Sequence, residues 1–139
     1  RLHLVNLAIG DNPRIKASDI EFSLNKPSYT IDTLSYLDEK YSDHEFALIM
    51  GGDNLKSFHK WKNYETILKH HKIYVYRRPG YDLGPLAEHE SVTVLDAPLL
   101  EISASYIRKQ IRESKSFQYL VTDEVHKYLL ENPIYKKLD

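Results

Sequence analysis

The chain has no cysteine among its 139 residues, which excludes disulfide bonds, thiolate zinc sites and a cysteine nucleophile. It also lacks an excess of charge of either sign, because the formal net charge is −1. We therefore expect no overall electrostatic field that would attract nucleic acid or an anionic membrane, and any anion site must be built locally. No apolar run approaches the length of a membrane span, and no signal-peptide pattern is present. These absences predict a cytoplasmic protein without a membrane or nucleic-acid partner.

Several short motifs that indicate a function are missing as well. The sequence contains no Walker A loop, no GxGxxG, no GxSxG and no HExxH. The seven histidines are scattered, and no pair of them has the spacing of metal ligands. We therefore predict no metal site built by the protein itself.

The first residues of the chain have the pattern of the inside of a helix. Leu2, Val5 and Ile9 lie on one helical face with no capping residue before them, and residues 10–13 (GDNP) supply a stop. The chain also has no initiator methionine. We expect further sequence to precede Arg1.

Strands alternate with helices along the rest of the chain. Extended segments are predicted at Arg14–Ser23, Phe46–Met50, Ile73–Tyr76 and Val92–Leu95, and helices after Ser28, at Leu55–Trp61, at Tyr64–His70, after Ser103 and at Asp123–Leu130. This alternation predicts an α/β fold with a parallel sheet and helices on both faces. Since repeats and linkers are absent, a single domain over residues 1–139 is the economical interpretation.

The most informative stretch, GGDNLKSFHKWK, follows the buried strand directly. Ligands of open α/β sheets bind at the carboxyl ends of strands. Gly52 lets the backbone approach a ligand, and the Asp53 carboxylate can accept both hydroxyls of a ribose. Alternatively, Asp53 caps a helix that starts at Asn54. Trp61, the only tryptophan, can stack on a flat heteroaromatic ring or fill space in the core.

A second stretch, ISASYIRKQI, points to phosphate. Ser103 is a good N-cap, and Ile102 and Ile107 occupy the positions of a hydrophobic staple. The first turn offers free N–H groups and the hydroxyl of Ser105, and Arg108 one turn later leans back toward the same place. This pattern indicates a phosphate clamp. A well-capped surface helix with an incidental arginine is the alternative.

Two further polar segments are candidate anion sites. With Ser28 as N-cap, Thr30 falls at N2 and offers a hydroxyl and an N–H that suit a carboxylate. The alternative is that both residues only cap the helix while Tyr29 packs. Arg77 and Arg78 follow a strand and precede Pro-Gly, where they either contact a phosphate or form a solvated turn.

The motifs SYTIDTL, GGDN…FHKWK, RRPGY and ISASYIR, in this order and spacing, resemble those of nicotinate-nucleotide adenylyltransferases. The resemblance spans nearly the whole chain and implies a Rossmann-like nucleotidyltransferase fold. It implies that ATP and nicotinate mononucleotide give deamido-NAD and pyrophosphate, with Mg²⁺. The 5′-phosphate of the mononucleotide would attack the α-phosphorus of ATP in line. Such catalysis relies on positioning and charge stabilisation, so it needs no nucleophile motif.

The resemblance also implies roles for individual residues. Thr30 and the backbone around Trp61 and Lys62 would recognise the nicotinate carboxylate, with the indole stacked on the pyridine ring. Arg78 would lie near the phosphate of the mononucleotide. The residues implied for ATP are Gly52 and Asp53 at a ribose, Ile102 and Ser103 at the adenine end, and Ser105 and Arg108 at the phosphates.

One family feature has no counterpart here. The Gly-x-Phe-x-Pro-x-His-x-Gly-His loop that follows the family's first strand matches nothing in these 139 residues. We expect that the first strand, this loop and the next helix, about 30 residues or more, are absent from this stretch. The stretch alone is therefore predicted to be neither stable nor active.

Three alternatives stay open on the sequence. The acceptor could instead be nicotinamide mononucleotide or, less in keeping with the SYT segment, pantetheine phosphate. The chain could also be a nucleotide-binding module without catalysis, or a purely structural domain. An oligomer is compatible with all of them.

Overall fold

The structure is a computed structural model that describes residues 1–80 and 82–136. It divides into two compact units. The sheet unit comprises Ile20–Leu99, and the helical unit comprises Arg1–Asp19 and Leu100–Asp139. The sequence-based interpretation as a single domain stays a prediction.

Helices and strands alternate along the described residues. In chain order they are α1 (Leu2–Ile9), α2 (Ile20–Ser23), α3 (Thr30–Lys40), β1 (Ala47–Gly51), α4 (Gly52–Ser57), a 3₁₀ turn (Phe58–Lys60), α5 (Tyr64–His70), β2 (Lys72–Tyr76), a second 3₁₀ turn (Pro85–Glu88), β3 (Val92–Leu95), α6 (Ala104–Arg112) and α7 (Asp123–Glu131). Within the described ranges, no helix is both long and apolar enough to cross a membrane.

The three strands form one parallel sheet in the order β1-β2-β3. Met50 lies opposite Val75, and Ile73 lies opposite Val92, so their side chains share one face. That face carries the core of the sheet unit, in which Leu55, Phe58 and Ile67 of the helical segments are fully buried. Parallel strands with packed helices confirm the predicted α/β class.

Among the described residues the other face of the sheet is largely uncovered, so packed helices lie on one face where the sequence predicted them on both. Ile49 is 78% exposed, and Tyr76 and Leu95 are 36% and 41% exposed. The prediction of an uninterrupted buried strand at Phe46–Met50 was therefore wrong in two respects. The strand runs over Ala47–Gly51, and its side chains alternate between a buried and an exposed face.

The predicted extended segment at Arg14–Ser23 was also wrong. Its last residues form the short helix α2, in which the Ser23 hydroxyl donates to the Ile20 carbonyl at 2.8 Å. The Glu21 side chain accepts a hydrogen bond of 3.0 Å from the Thr33 hydroxyl of α3. A local turn and a contact to α3 thus replace the ladder bonds that a strand would need.

The helical unit has its own small core, formed by Ile111, Phe117, Val125 and Leu129. Helix α1 packs Leu4 and Leu7 against it, and of the predicted apolar face Leu2 and Ile9 are half-buried while Val5 is 46% exposed. The predicted end of α1 is confirmed. Gly10 adopts φ 59°, a conformation that favours glycine, and its N–H donates to the Asn6 carbonyl at 3.1 Å.

Candidate active site

The start of α3 and the segment after the first 3₁₀ turn enclose a pocket of about 280 Å³ in the sheet unit. We call it the α3 pocket. Its lining residues are Ser28, Tyr29, Thr30, Lys60, Trp61 and Lys62. The structure therefore brings together the residues that the sequence assigned to nicotinate recognition, although they come from segments that are distant along the chain.

Trp61 packs against the core, as one interpretation of its sequence position predicts, while stacking on a ligand ring stays a prediction. Its ring centroid lies 5.1 Å from that of Phe58, at an interplanar angle of 60°, and Phe58 is fully buried. The half-buried indole is thus packed against the core of the sheet unit and also lines the pocket. A ring fixed in this way is a rigid surface for stacking.

The predicted cap of α3 was wrong. Tyr29, not Ser28, is the N-cap residue, and Thr30 is the first helical residue, at N1 and not N2. The Ser28 hydroxyl instead donates to the Glu21 carbonyl at 3.4 Å, because the preceding loop lies beside α2. Within residues 1–80 and 82–136, no side-chain oxygen caps the start of α3. The start of α3, where Thr30 lines the pocket, therefore has no side-chain cap, and an uncapped helix start suits an anionic ligand.

Lys62 contacts Asp32, which the sequence did not single out, and Tyr29, which it expected only to pack. Its Nζ atom lies 3.3 Å from Oδ2 of Asp32 and 4.5 Å from the centre of the Tyr29 ring. Asp32 was missed because it is 30 residues away along the chain, and the only available signal was its place in the SYTIDTL motif.

A second cluster lies at the carboxyl ends of β1 and β2. The Arg78 guanidinium lies 3.3 Å from Oδ2 of Asp53, so the structure brings these two predicted residues together. Helix α4 begins at Gly52 with Gly51 as its N-cap, so the alternative in which Asp53 caps a helix starting at Asn54 was wrong.

The glycines of this cluster permit a close approach of chain segments. A Cβ atom on Gly52 would lie 2.5 Å from Cδ2 of Leu83, and one on Gly51 would lie 2.6 Å from Oδ1 of Asp53. Either substitution would displace a neighbour at the strand ends. Arg77 lies apart, with its Nε atom 3.6 Å from Asp96, and Tyr81 of the RRPGY motif is outside the described residues.

The third cluster belongs to the helical unit and lies at the start of α6. Ser103 is the N-cap residue and accepts a hydrogen bond of 3.2 Å from the Tyr106 N–H, which confirms the predicted cap. The Arg108 guanidinium donates to the Ser105 hydroxyl at 3.1 Å, so both predicted phosphate ligands point to the same place. Ile102 is 40% exposed.

These clusters contain polar and cationic groups but not the ligands of a resident metal. Across the part of the chain that the structure describes, no group of three or more histidine, aspartate or glutamate side chains could hold a metal ion. The chemistry available in the α3 pocket and at the start of α6 is that of anion binding, aromatic stacking and charge stabilisation.

Comparison with known proteins gives first the class and then the family. Residues 1–110 match the cytidylyltransferase-like family, so the parallel sheet and its polar strand ends are those of a nucleotidyltransferase. A probable nicotinate-nucleotide adenylyltransferase of Cytophaga hutchinsonii is 52% identical over 135 residues, which are 97% of this chain and 70% of that protein. Its counterpart in Flavobacterium psychrophilum is 49% identical, over 99% of this chain and 72% of that protein. The chain belongs to the nicotinate-nucleotide adenylyltransferase family, as its ordered motifs predicted.

Solved structures agree on the fold. A Plasmodium falciparum nicotinic acid mononucleotide adenylyltransferase complexed with APC has a TM-score of 0.75 and 17% identity, over 96% of this chain and 72% of that chain. The same enzyme complexed with NaAD has a TM-score of 0.63 and 18% identity, over 78% of this chain and 57% of that chain. At this level of identity the likeness is evidence for the Rossmann-like fold alone.

Proposed function

We propose that the protein transfers the adenylyl group of ATP to nicotinate mononucleotide, forming deamido-NAD and pyrophosphate as a step of NAD biosynthesis. The observation that carries this proposal is the α3 pocket, where an uncapped helix start, an indole and an ammonium group lie together. These features match the two parts of nicotinate. The helix start and the ammonium group suit its carboxylate, and the indole suits its planar ring. Membership of the family supports the same reaction.

The acid group of the substrate is assigned to the start of α3. The Thr30 hydroxyl and the first N–H groups of the helix donate to a carboxylate, and the positive end of the helix dipole favours its charge. The Lys62 ammonium adds a cation at the same pocket. Trp61 stacks on the pyridine ring, because its indole is fixed by Phe58.

We assign the phosphates and riboses to the other two clusters. Ser105 and Arg108 bind ATP phosphates at the start of α6, where the hydroxyl and guanidinium already contact each other at 3.1 Å. Gly52 and Asp53 hold a ribose. Arg78 is placed near the phosphate of the mononucleotide, and its guanidinium lies 3.3 Å from Oδ2 of Asp53. We assign Ile102 and Ser103 to the adenine end of ATP.

The reaction needs positioned charges and no covalent intermediate. An oxygen of the mononucleotide 5′-phosphate forms a bond to the α-phosphorus of ATP, and the bond from that phosphorus to the β-phosphate bridging oxygen breaks. Pyrophosphate leaves with the electron pair of that bond. Arg108 stabilises the negative charge on the phosphates in the transition state. Mg²⁺, carried by the ATP phosphates, would neutralise further charge when bound.

The test is a comparison of acceptors in the purified full-length protein. With ATP and Mg²⁺, we expect formation of deamido-NAD and pyrophosphate from nicotinate mononucleotide with a kcat/KM at least about tenfold above that for nicotinamide mononucleotide. A preference for the amide would contradict the acceptor assignment. Calorimetric binding of ATP without turnover of either mononucleotide would identify a nucleotide-binding module instead.

A further inference from the structure

The ammonium group of Lys62 is contacted from two directions at the α3 pocket. Its Nζ atom lies 3.3 Å and 3.5 Å from the two carboxylate oxygens of Asp32, and 4.5 Å from the centre of the Tyr29 ring. A lysine side chain on a protein surface ordinarily samples many rotamers, because its four-carbon stem is flexible. Two partners on one ammonium group restrict it to the rim of the pocket.

This arrangement contributes little to the stability of the folded protein. The side chains of Lys62 and Asp32 are 45% and 46% exposed, and ion pairs with such exposure contribute about 0–1 kcal/mol to stability. Because an ammonium group has three N–H donors, contact with one carboxylate and one ring does not exhaust it. The arrangement is better explained as the placement of a charge for a ligand.

Asp32 contacts Lys62 but does not itself line the pocket. Tyr29 and Lys62 are lining residues, and Asp32 is not among the lining residues that the structure describes. Any effect of Asp32 on a ligand is therefore expected to act through Lys62. Its carboxylate alone would repel an anionic ligand, so its presence beside a carboxylate site requires the neutralising ammonium group.

We propose that Asp32 is a positioning residue that, together with Tyr29, fixes the Lys62 ammonium where it selects the acid over the amide of the pyridine ring. This inference rests on the proposed function, because the acid and the amide are the two acceptors that it distinguishes. Lys62 is the specificity-determining residue, and its charge favours the carboxylate. Contacts with Asp32 and the ring of Tyr29 prevent the Lys62 side chain from rotating away from the pocket into solvent.

The experiment measures kcat/KM for nicotinate and nicotinamide mononucleotides in four full-length proteins: wild type, Lys62→Met, Asp32→Asn and the double variant. The ratio of the two values is the readout, since a loss of stability alone would not change it. We expect Lys62→Met to lower the acid-to-amide ratio at least about tenfold. Asp32→Asn should lower it about threefold or more, and the double variant should match Lys62→Met within about twofold.

Three controls keep the result specific. Lys56→Met removes an exposed lysine of α4 that is not among the described lining residues of the pocket, and it should leave the ratio unchanged. The KM for ATP should stay within about twofold in every variant, because the ATP site uses other residues. Asp32→Glu keeps the charge and should retain most of the selectivity.

Two results would overturn the positioning role. If Asp32→Asn leaves the ratio unchanged or raises it, the carboxylate only repels the ligand and does not position Lys62. If Asp32→Asn lowers the ratio equally in the wild-type protein and in the Lys62→Met variant, Asp32 acts independently of that lysine. A wild-type protein that uses neither mononucleotide would instead overturn the proposed function and this inference with it.

Discussion

Helices α3 and α6 both begin at a candidate anion site, but their first turns are built differently. At α6, Ser103 caps the helix, and Arg108 contacts Ser105 through a guanidinium donor. At α3, no side-chain oxygen among the described residues caps the start, and the pocket's cation that contacts Asp32, Lys62, comes from a distant segment. The anion site at α6 is built from a single local motif, whereas the anion site at α3 is assembled from two parts of the chain.

The difference suits the ligands proposed for each helix. A triphosphate carries several charges, so a cap and a guanidinium fork from one local motif can bind it without help. A carboxylate on a ring must be recognised together with that ring. The start of α3 therefore needs the indole and the ammonium group of residues 61 and 62 as well as its own N–H groups.

The largest expected effect concerns the cation that belongs to α6. Arg108→Ala should lower kcat/KM by about 10²–10³-fold, because a preorganised donor to the reacting phosphates is lost. Arg108→Lys should recover only part of this loss, since an ammonium group cannot make the two parallel bonds of a guanidinium. Arg112→Ala, on the exposed last turn of the same helix, is the matched control. Steady-state kinetics with varied ATP is the measurement, and a change of less than about threefold for Arg108→Ala would refute the clamp.

A smaller effect is expected at the start of α3. Thr30→Val removes a hydroxyl at nearly constant shape and should raise the KM for nicotinate mononucleotide about tenfold, while the KM for ATP changes less than about twofold. The control is Thr33→Val on the same helix, whose hydroxyl donates to Glu21 and not to a ligand. Equal effects of Thr30→Val on both substrates would place Thr30 outside the acid site.

The two serines test the capping difference directly. Ser103→Ala should cost about 1 kcal/mol of unfolding free energy, the usual loss for a removed N-cap. Ser28→Ala should cost less than about 0.5 kcal/mol, because its hydroxyl makes one long bond on the surface. Urea denaturation of the full-length protein measures both values. Equal losses would mean that Ser28 caps α3 after all.

The smallest effect concerns the other end of α6, where Glu113 follows the last turn. Its Oε2 atom lies 2.7 Å from Nζ of Lys115, and this hydrogen bond holds the pKa of the Glu113 carboxyl below its ordinary value. A lowered carboxyl pKa stabilises the folded state above the unfolded-state pKa, and this contribution disappears as the pH falls through the folded-state pKa. An NMR titration should show the pKa of Glu113 rising in Lys115→Met. In Lys109→Met the rise should be smaller, because that ammonium group is 3.9 Å away.

Elements whose signals are local could be predicted well. The bounds of α5 (Tyr64–His70) and β3 (Val92–Leu95) match the predictions, and β2 differs by one residue. The cap at Ser103 was also correct, because its partner, the Tyr106 N–H, is three residues away. In each case the periodicity or the capping partner lies inside the segment itself.

The failures depend on contacts that a linear pattern does not contain. Ser28 has the sequence of an N-cap, but its hydroxyl is directed to Glu21, seven residues earlier. Asp32 could not be assigned, since its partner Lys62 is brought beside it only by the packing of the sheet unit. Ile49 has the pattern of a core residue, yet it lies on the uncovered face of the sheet.

The edge of the sheet at β1 has a consequence for the behaviour of the polypeptide in solution. Among the described residues β1 pairs with β2 alone, so one row of its backbone N–H and carbonyl groups has no strand beside it, next to a branched apolar side chain that is 78% exposed. Edges of this kind recruit strands from other molecules unless a charge, a proline or a covering segment blocks them. An Ile49→Lys substitution in the full-length protein tests whether this edge is free in solution, because it should lower aggregation only if no other segment pairs with β1.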